Sequence, residues 1–277
     1  MKSIKLNFIK AIIFIFLLAM TVSAIFPFYF MIVSSFKKTG EYFLNFFGLP
    51  QAPVLDNYKK LFEQFPVIKM VFYSTIVCAA ALVASIFIIT LAGFIFAKFP
   101  YKWSNHIFIA IVACMMVPPI ILVIPVYILM SSLHLINNYL SLILFYTAIV
   151  IPFSLYLITS NFKSVPNECL ESAMIDGCSL FGLYRRIVLP LGKPAVLTLM
   201  TLNFLWFWNE FLYSLLFLQT NELRTLTVGV AVIIGKRTSE MTLLYTGLFV
   251  NSIPVLIVFS LANKYLVKGL VSGAVKG

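Results

Sequence analysis

The sequence predicts an all-α membrane protein: six transmembrane helices, with a polar helix-turn-helix loop joining the fourth to the fifth. Three observations carry that reading. Hydrophobic residues make up 62% of the 277 and charged residues only 10%, whereas soluble domains carry about 25% charged residues. Charge-free runs recur at lengths that suit a hydrocarbon core, which takes about 20 apolar residues per helix. One long polar interval, Val165 to Pro194, interrupts the second half of the chain and holds three of its nine acidic residues, Glu168, Glu171 and Asp176.

Lys2, Lys5 and Lys10 precede a charge-free run from Ala11 to Phe36. A signal peptide has about 7 to 15 apolar residues and then a small-residue cleavage site. This run continues through IFPFYFMIV, so it reads as an uncleaved first helix over about 11–34. Residues 35–66 mix seven charged residues with Pro50 and Pro53 and form the longest loop. A second helix fills about 70–97 and ends at Lys98, Pro100 and Lys102. From Trp103 to Phe162 there is no Lys, Arg, Asp or Glu for 60 residues, about twice what one tilted helix can use. The polar patch Ser131, Ser132, His134, Asn137 and Asn138 divides this run into helices of about 107–130 and 139–162. Pro118, Pro119 and Pro125 make the first of the two irregular, which a membrane tolerates only where protein or a water-filled cavity covers the freed backbone groups. Helices five and six cover about 195–218 and 241–262; Pro254 is expected to kink the last, with Asn251 and Ser252 satisfying the carbonyls it frees. Together these form one transmembrane domain over residues 1–277.

An even number of spans puts both termini on one side, and the side follows from basic residues near the span ends. Lys2, Lys5, Lys10, Lys98, Lys102, Lys163, Arg185, Arg186, Lys193, Lys264, Lys268 and Lys276 fall on one face. They outnumber Lys37, Lys38, Lys59, Lys60, Lys69, Arg224, Lys236 and Arg237 on the other. The majority places the termini, and with them the 165–194 loop, in the cytoplasm.

Several function classes fall away. The net charge of +11 comes from basic residues spread in ones and twos between apolar runs, unlike the clustered face of a nucleic-acid binder. Cys78, Cys114, Cys169 and Cys178 lack CxxC spacing, and His106 and His134 stand far apart, so no metal or redox site is expected. The run from Gly229 to Lys236 imitates a phosphate loop, but its second Gly is one place late and Arg237 stands where Ser or Thr is required. HExxH and GxSxG are absent, so no catalytic residues are assigned.

Within the polar loop, Pro166 suits the first turn of a helix. Gly177 suits the left-handed position past its end, and Ser179 suits the N-cap of the next helix, FGLYRRIVL. Leu170, Ala173, Met174 and Gly177 recur at helical spacing, with Glu168, Glu171 and Ser172 off that line. Glu171 and Asp176 would be disfavoured on an anionic leaflet, so docking into a groove on a partner protein is the sharper reading.

ESAMIDG at Glu171 to Gly177, followed by IVLPL at Ile187 to Leu191 and by Pro194, resembles the EAA loop of ABC-importer permeases. The likeness is to the carbohydrate-uptake branch and extends through WNEF at Trp208 to Phe211 and the tail from Val267 to Gly277. The resemblance implies that Glu171, Ser172, Ala173, Asp176, Gly177 and Pro190 couple the chain to a cytoplasmic ATPase. Ser172 and Cys178 stand where the family usually has Ala, changes small enough to preserve docking. It also implies a second permease subunit as a heterodimer partner, two ATPase subunits that bind the ATP, an extracytoplasmic solute-binding protein and a sugar cargo. No cofactor is expected in this chain. For the tail it implies contact with the ATPase dimer, where physics alone supports a flexible amphipathic end.

Glu210 is the one acidic residue inside an expected span, and a mid-bilayer charge costs roughly 2.5 to 3.5 kcal/mol on insertion scales. One reading places Asn209 and Glu210, with Trp206 and Trp208, along a substrate path, where sugars use hydrogen bonds and aromatic faces. The other makes Glu210 a structural pair or helix cap. Two rival functions remain beside a sugar importer: an ion-coupled secondary transporter using Glu210, and an ABC importer of a non-sugar solute.

Overall fold

The structure, a computed structural model, describes residues 2–234 and 240–274. Every regular element among them is helical. In chain order they are α1 (Lys2–Ser35), α2 (Thr39–Leu44), α3 (Asp56–Gln64), α4 (Val67–Lys98), α5 (Ser104–Ala113), α6 (Val123–Ser132), α7 (Tyr139–Ile149) and α8 (Ile151–Lys163). Then follow α9 (Asn167–Ile175), α10 (Leu180–Leu183), α11 (Leu189–Leu191), α12 (Lys193–Asn209), α13 (Leu212–Phe217), α14 (Leu226–Val228) and α15 (Met241–Ala274).

Three unbroken stretches are long and apolar enough to cross a membrane: Ile9–Ser35, Val67–Lys98 and Met241–Asn263. Three more arise where two helices meet at a bend. Ser104–Met116 meets Pro119–Ser132 at 91°, Tyr139–Ile149 meets Ile151–Lys163 at 45°, and Leu180–Leu191 meets Lys193–Asn209 at 77°. Each bend has a local cause. At the first, Val117 and Pro118 are extended, and consecutive prolines cannot continue a helical ladder. At the second, Pro152 stands in the first turn of α8. At the third, Pro194 opens α12 and the Phe162 ring occupies the space a Cβ on Gly192 would need.

One difference from the sequence expectation follows. The helix expected over 195–218 runs from Lys193 to Asn209, breaks at Glu210 and Phe211, and resumes as α13. An apolar run carries no signal for such a break. The last helix runs on through Pro254, and Ser252 Oγ donates to the carbonyl of Phe249, the neighbour of the Val250 carbonyl that Pro254 deprives of a donor. The Gly229 to Ile234 part of the phosphate-loop imitation is a π-helical turn, and its Gly235 and Lys236 lie outside the described residues. So does the end of the C-terminal tail.

The described chain divides into two compact units. The first comprises the chain to Ile68 together with Gly229–Ile253. Here α1 stands exposed from Ile9 to Phe28, an apolar surface suited to lipid or to another protein's helices rather than to water. Just past its C-terminal end, Lys37 is fully buried, and its ammonium donates to the carbonyls of Asn45 at 2.6 Å and Phe46 at 3.0 Å. Burial lowers its pKa from the ordinary lysine value, and Glu41 partly offsets that. Asn57 Nδ2 donates to the carbonyls of Ser35 and Lys37, and its Oδ1 accepts from Thr242.

The second unit comprises Lys69–Val228 and the chain from Pro254. Its helices α5, α7, α8, α12 and α13 pack around Leu142, Phe145, Tyr146, Leu155, Ile158, Phe162, Leu199, Phe207 and Phe217, all nearly or fully buried. Both candidate sites belong to this unit.

Candidate functional site

The polar interval folds as a helix-turn-helix. Pro166 takes the N-cap position of α9, one place before the first turn expected for it. At the far end, Asp176 is the C-cap and Gly177 is left-handed with φ +80°. The Gly177 N–H donates to the Met174 carbonyl at 3.0 Å and the Cys178 N–H to the Ala173 carbonyl at 2.9 Å. This pair of bonds is a Schellman closure, which satisfies carbonyls a helix end leaves orphaned. Ser179 Oγ then accepts from the Gly182 N–H at 3.2 Å, capping α10 as its sequence position suggests.

Few side chains anchor this motif. Of the apolar line on α9 only Leu170 is buried; Ala173 is half-buried and Met174 exposed. In the second arm Leu183, Tyr184 and Val188 are buried, and Tyr184 to Val188 forms a π-helical turn before α11. Glu171, Ser172, Asp176 and Gly177 stand exposed, with Ser172 Oγ donating to the Glu168 carbonyl. Ile175 is 87% exposed at the tip, joined by exposed Leu180 and Phe181. Pro190 lies farther along, exposed in α11, where it borders an apolar groove with Tyr184 and Lys193. The structure thus gathers Glu171 to Gly177 at one projecting tip and leaves Pro190 at the base.

The second site is an open cavity of about 680 Å³ lined by Trp206, Asn209, Glu210, Phe211 and Tyr213 from the broken fifth span. Pro119 and Ile120 from the broken third span complete it. The two breaks are tied directly: Tyr213 Oη donates to the Pro119 carbonyl at 2.7 Å. Non-helical backbone at membrane depth is tolerated when it is covered by protein or lines a cavity, and this break does both.

Glu210 organises the break. Its Oε1 accepts from the Tyr213 N–H at 2.8 Å, and its Oε2 accepts from the Ser214 N–H at 2.9 Å and from Tyr146 Oη at 3.1 Å. Tyr146 Oη also lies 2.8 Å from Ser214 Oγ, and the Tyr146 ring stacks on Phe207 at 5.0 Å with planes 4° apart. A carboxylate here satisfies the orphan donors of α13 and complements its dipole. The cap reading of Glu210 is therefore the one its hydrogen bonds describe, although the carboxylate still borders the cavity.

Trp206, 36% exposed, presents part of its ring to this cavity, and Asn209 turns its amide back to donate to the Leu205 carbonyl. Trp208, expected beside the path, is instead buried at 4% exposure and packs against Phe204; successive tryptophans two apart on a helix face different directions. Sequence reasoning missed Tyr146, Tyr213 and Ser214, because a hydroxyl inside an apolar run shows no partner until the fold brings one. The double proline at Pro118 and Pro119 was the only signal for the break opposite. Among the described residues no cluster of His, Cys, Asp or Glu could hold a metal ion.

Residues 89–272 match the family of binding-protein-dependent transport system inner membrane components. The chain is 32% identical to the sulfoquinovosyl glycerol transport system permease protein SmoH of Agrobacterium fabrum, over 92% of this chain and 90% of that protein. It is 30% identical to the arabinooligosaccharides transport system permease protein AraQ of Bacillus subtilis, over 95% and 94% respectively. A solved bacterial ABC transporter involved in the import of alginate shares the fold, with TM-score 0.83 and 18% identity, covering 94% of this chain and 96% of that one.

Proposed function

This chain belongs to the inner membrane components of binding-protein-dependent transport systems, and from that premise we propose how it carries a sugar or oligosaccharide as the permease subunit of an ATP-driven importer. The projecting tip from Glu171 to Gly177 is the observation that carries the reading. Its backbone is closed by its own caps, while its side chains are left exposed. An element built that way is rigid before it meets a partner, so a push on it is passed on rather than absorbed.

In this reading both termini and the tip face the cytoplasm, as the basic residues favour. Two ATPase subunits bind and hydrolyse ATP there, and each seats a coupling helix in a cleft. A second permease subunit completes a heterodimer across the membrane, and an extracytoplasmic binding protein delivers the cargo. Closure of the ATPase pair drives the helix-turn-helix, and the spans rock to expose the pathway outward. Sugar cargo follows the names of relatives such as AraQ and SmoH. The cavity at the Glu210 break is the proposed passage, with the Trp206 ring as an apolar platform and Asn209 as a hydrogen-bonding group. Glu210 acts there by fixing the break, which leaves no need for it to carry a proton or cation.

Glu171→Lys and Gly177→Pro test the coupling role. Each should abolish uptake while ATP hydrolysis and membrane insertion persist; unchanged uptake in both refutes it. The cargo is found by measuring which sugars raise the melting temperature of the cognate binding protein, since a ligand stabilises the state it binds.

A further inference from the structure

The two arms of the helix-turn-helix join covalently to α8 and α12, yet both are also gripped by a helix distant in sequence, α4. Lys98, the last residue of α4, donates from its ammonium to the Val165 carbonyl at 2.5 Å and to Asn167 Oδ1 at 2.9 Å, and reaches the Lys163 carbonyl at 3.5 Å. The Lys163 carbonyl is one that the end of α8 leaves without a helical donor, the place where a cation is most favoured, and Val165 lies two residues beyond it. Asn167 is the first residue of α9. One ammonium thus ties the end of α8 to the start of α9 across Pro166.

The second grip holds the other arm. Thr90 Oγ1 lies 2.8 Å from Tyr184 Oη in a buried contact. The single hydroxyl hydrogen of Thr90 goes to the Ile86 carbonyl at 2.6 Å, so Tyr184 is the donor of this pair. The Tyr184 ring also packs on Phe94 at 5.7 Å. Hence α4 holds the entry of the first arm and the base of the second, leaving only the tip clear.

We propose that α4 moves with the helix-turn-helix as one body, and that Lys98 is the positioning residue that joins them. The proposal rests on the coupling role of the tip and adds the route its motion takes: into α4 through Lys98 and Tyr184, as well as along the chain into α8 and α12. Lys98 touches neither nucleotide nor cargo in this account; it acts by orienting α9.

The test uses the full importer in lipid nanodiscs, with nitroxides on native Cys169 of α9, which is exposed, and on an Ile95→Cys site of α4, in a chain carrying Cys114→Ser and Cys178→Ser. The distance between the labels should be the same with and without Mg-ATP, and in a Lys98→Met variant it should become nucleotide-dependent. Lys98→Met should also lower the ratio of binding-protein-stimulated to basal ATP hydrolysis about tenfold, the scale of a lost charge-assisted hydrogen bond, with Lys98→Arg restoring it. A distance that shifts on adding Mg-ATP to the Lys98 chain overturns the proposal, as does a Lys98→Met variant with an unaltered ratio. Should Lys98→Met fail to assemble, Asn167→Ala, a change at an exposed side chain, is read by the same two criteria. If Glu171→Lys uncouples while these variants do not, the coupling role of the tip stands and the route through α4 falls; if none uncouples, the coupling role itself falls.

Discussion

The tip at Glu171 to Gly177 and the break at Glu210 solve the same problem, an interrupted helix, in opposite ways. At the tip the chain closes itself with local bonds: Gly177 to Met174, Cys178 to Ala173, Gly182 to Ser179. None spans more than five residues, and the side chains of Glu171, Ile175 and Asp176 stay exposed. At the break the bonds are both local and long-range: Glu210 caps Tyr213 and Ser214 but is itself held by Tyr146, and Tyr213 reaches back to Pro119. A self-sufficient turn can project from the protein and engage something else. A turn that depends on distant residues is fixed where it stands and shapes a cavity.

That contrast can be broken by mutation. The largest effect belongs to Glu210→Ala, which strips the orphan donors of α13 and the Tyr146 hydroxyl of their acceptor. It should lower the unfolding free energy in detergent by about 3 kcal/mol, combining a lost cap with a lost charge-assisted bond. Tyr146→Phe keeps the stack on Phe207 and removes only the hydroxyl, so about 1 kcal/mol is expected in the same measurement. A stability unchanged in both variants would mean that the break is not held by this network. Ser179→Ala at the tip should cost less, about 0.5 to 1 kcal/mol for one exposed cap. Uptake should survive it, because the Gly177 closure remains.

The same contrast explains what the sequence could and could not reveal. Gly177, Ser179 and the spacing of the charge-free runs act through neighbours within a turn or two, so the helix-turn-helix and the spans are legible from residue order alone. Glu210 was visible as an anomaly, a charge inside an apolar run, but not as a cap, since its partner Tyr146 lies 64 residues away. Trp208 looked equivalent to Trp206 until the fold turned one into the core and left the other at the cavity. The grip of Lys98 on Asn167 spans 69 residues, and Lys98 reads in the sequence only as a border.

Two of the most exposed large apolar side chains, Ile175 at 87% and Leu44 at 91%, allow the central claim to be tested in one measurement. A photo-crosslinking residue placed at each position in turn, in the intact importer within its native membrane, reports which side chain meets the ATPase. The account predicts a crosslink to the cytoplasmic ATPase subunit from position 175 and none from position 44. A crosslink to the ATPase from position 44, with none from position 175, would contradict it.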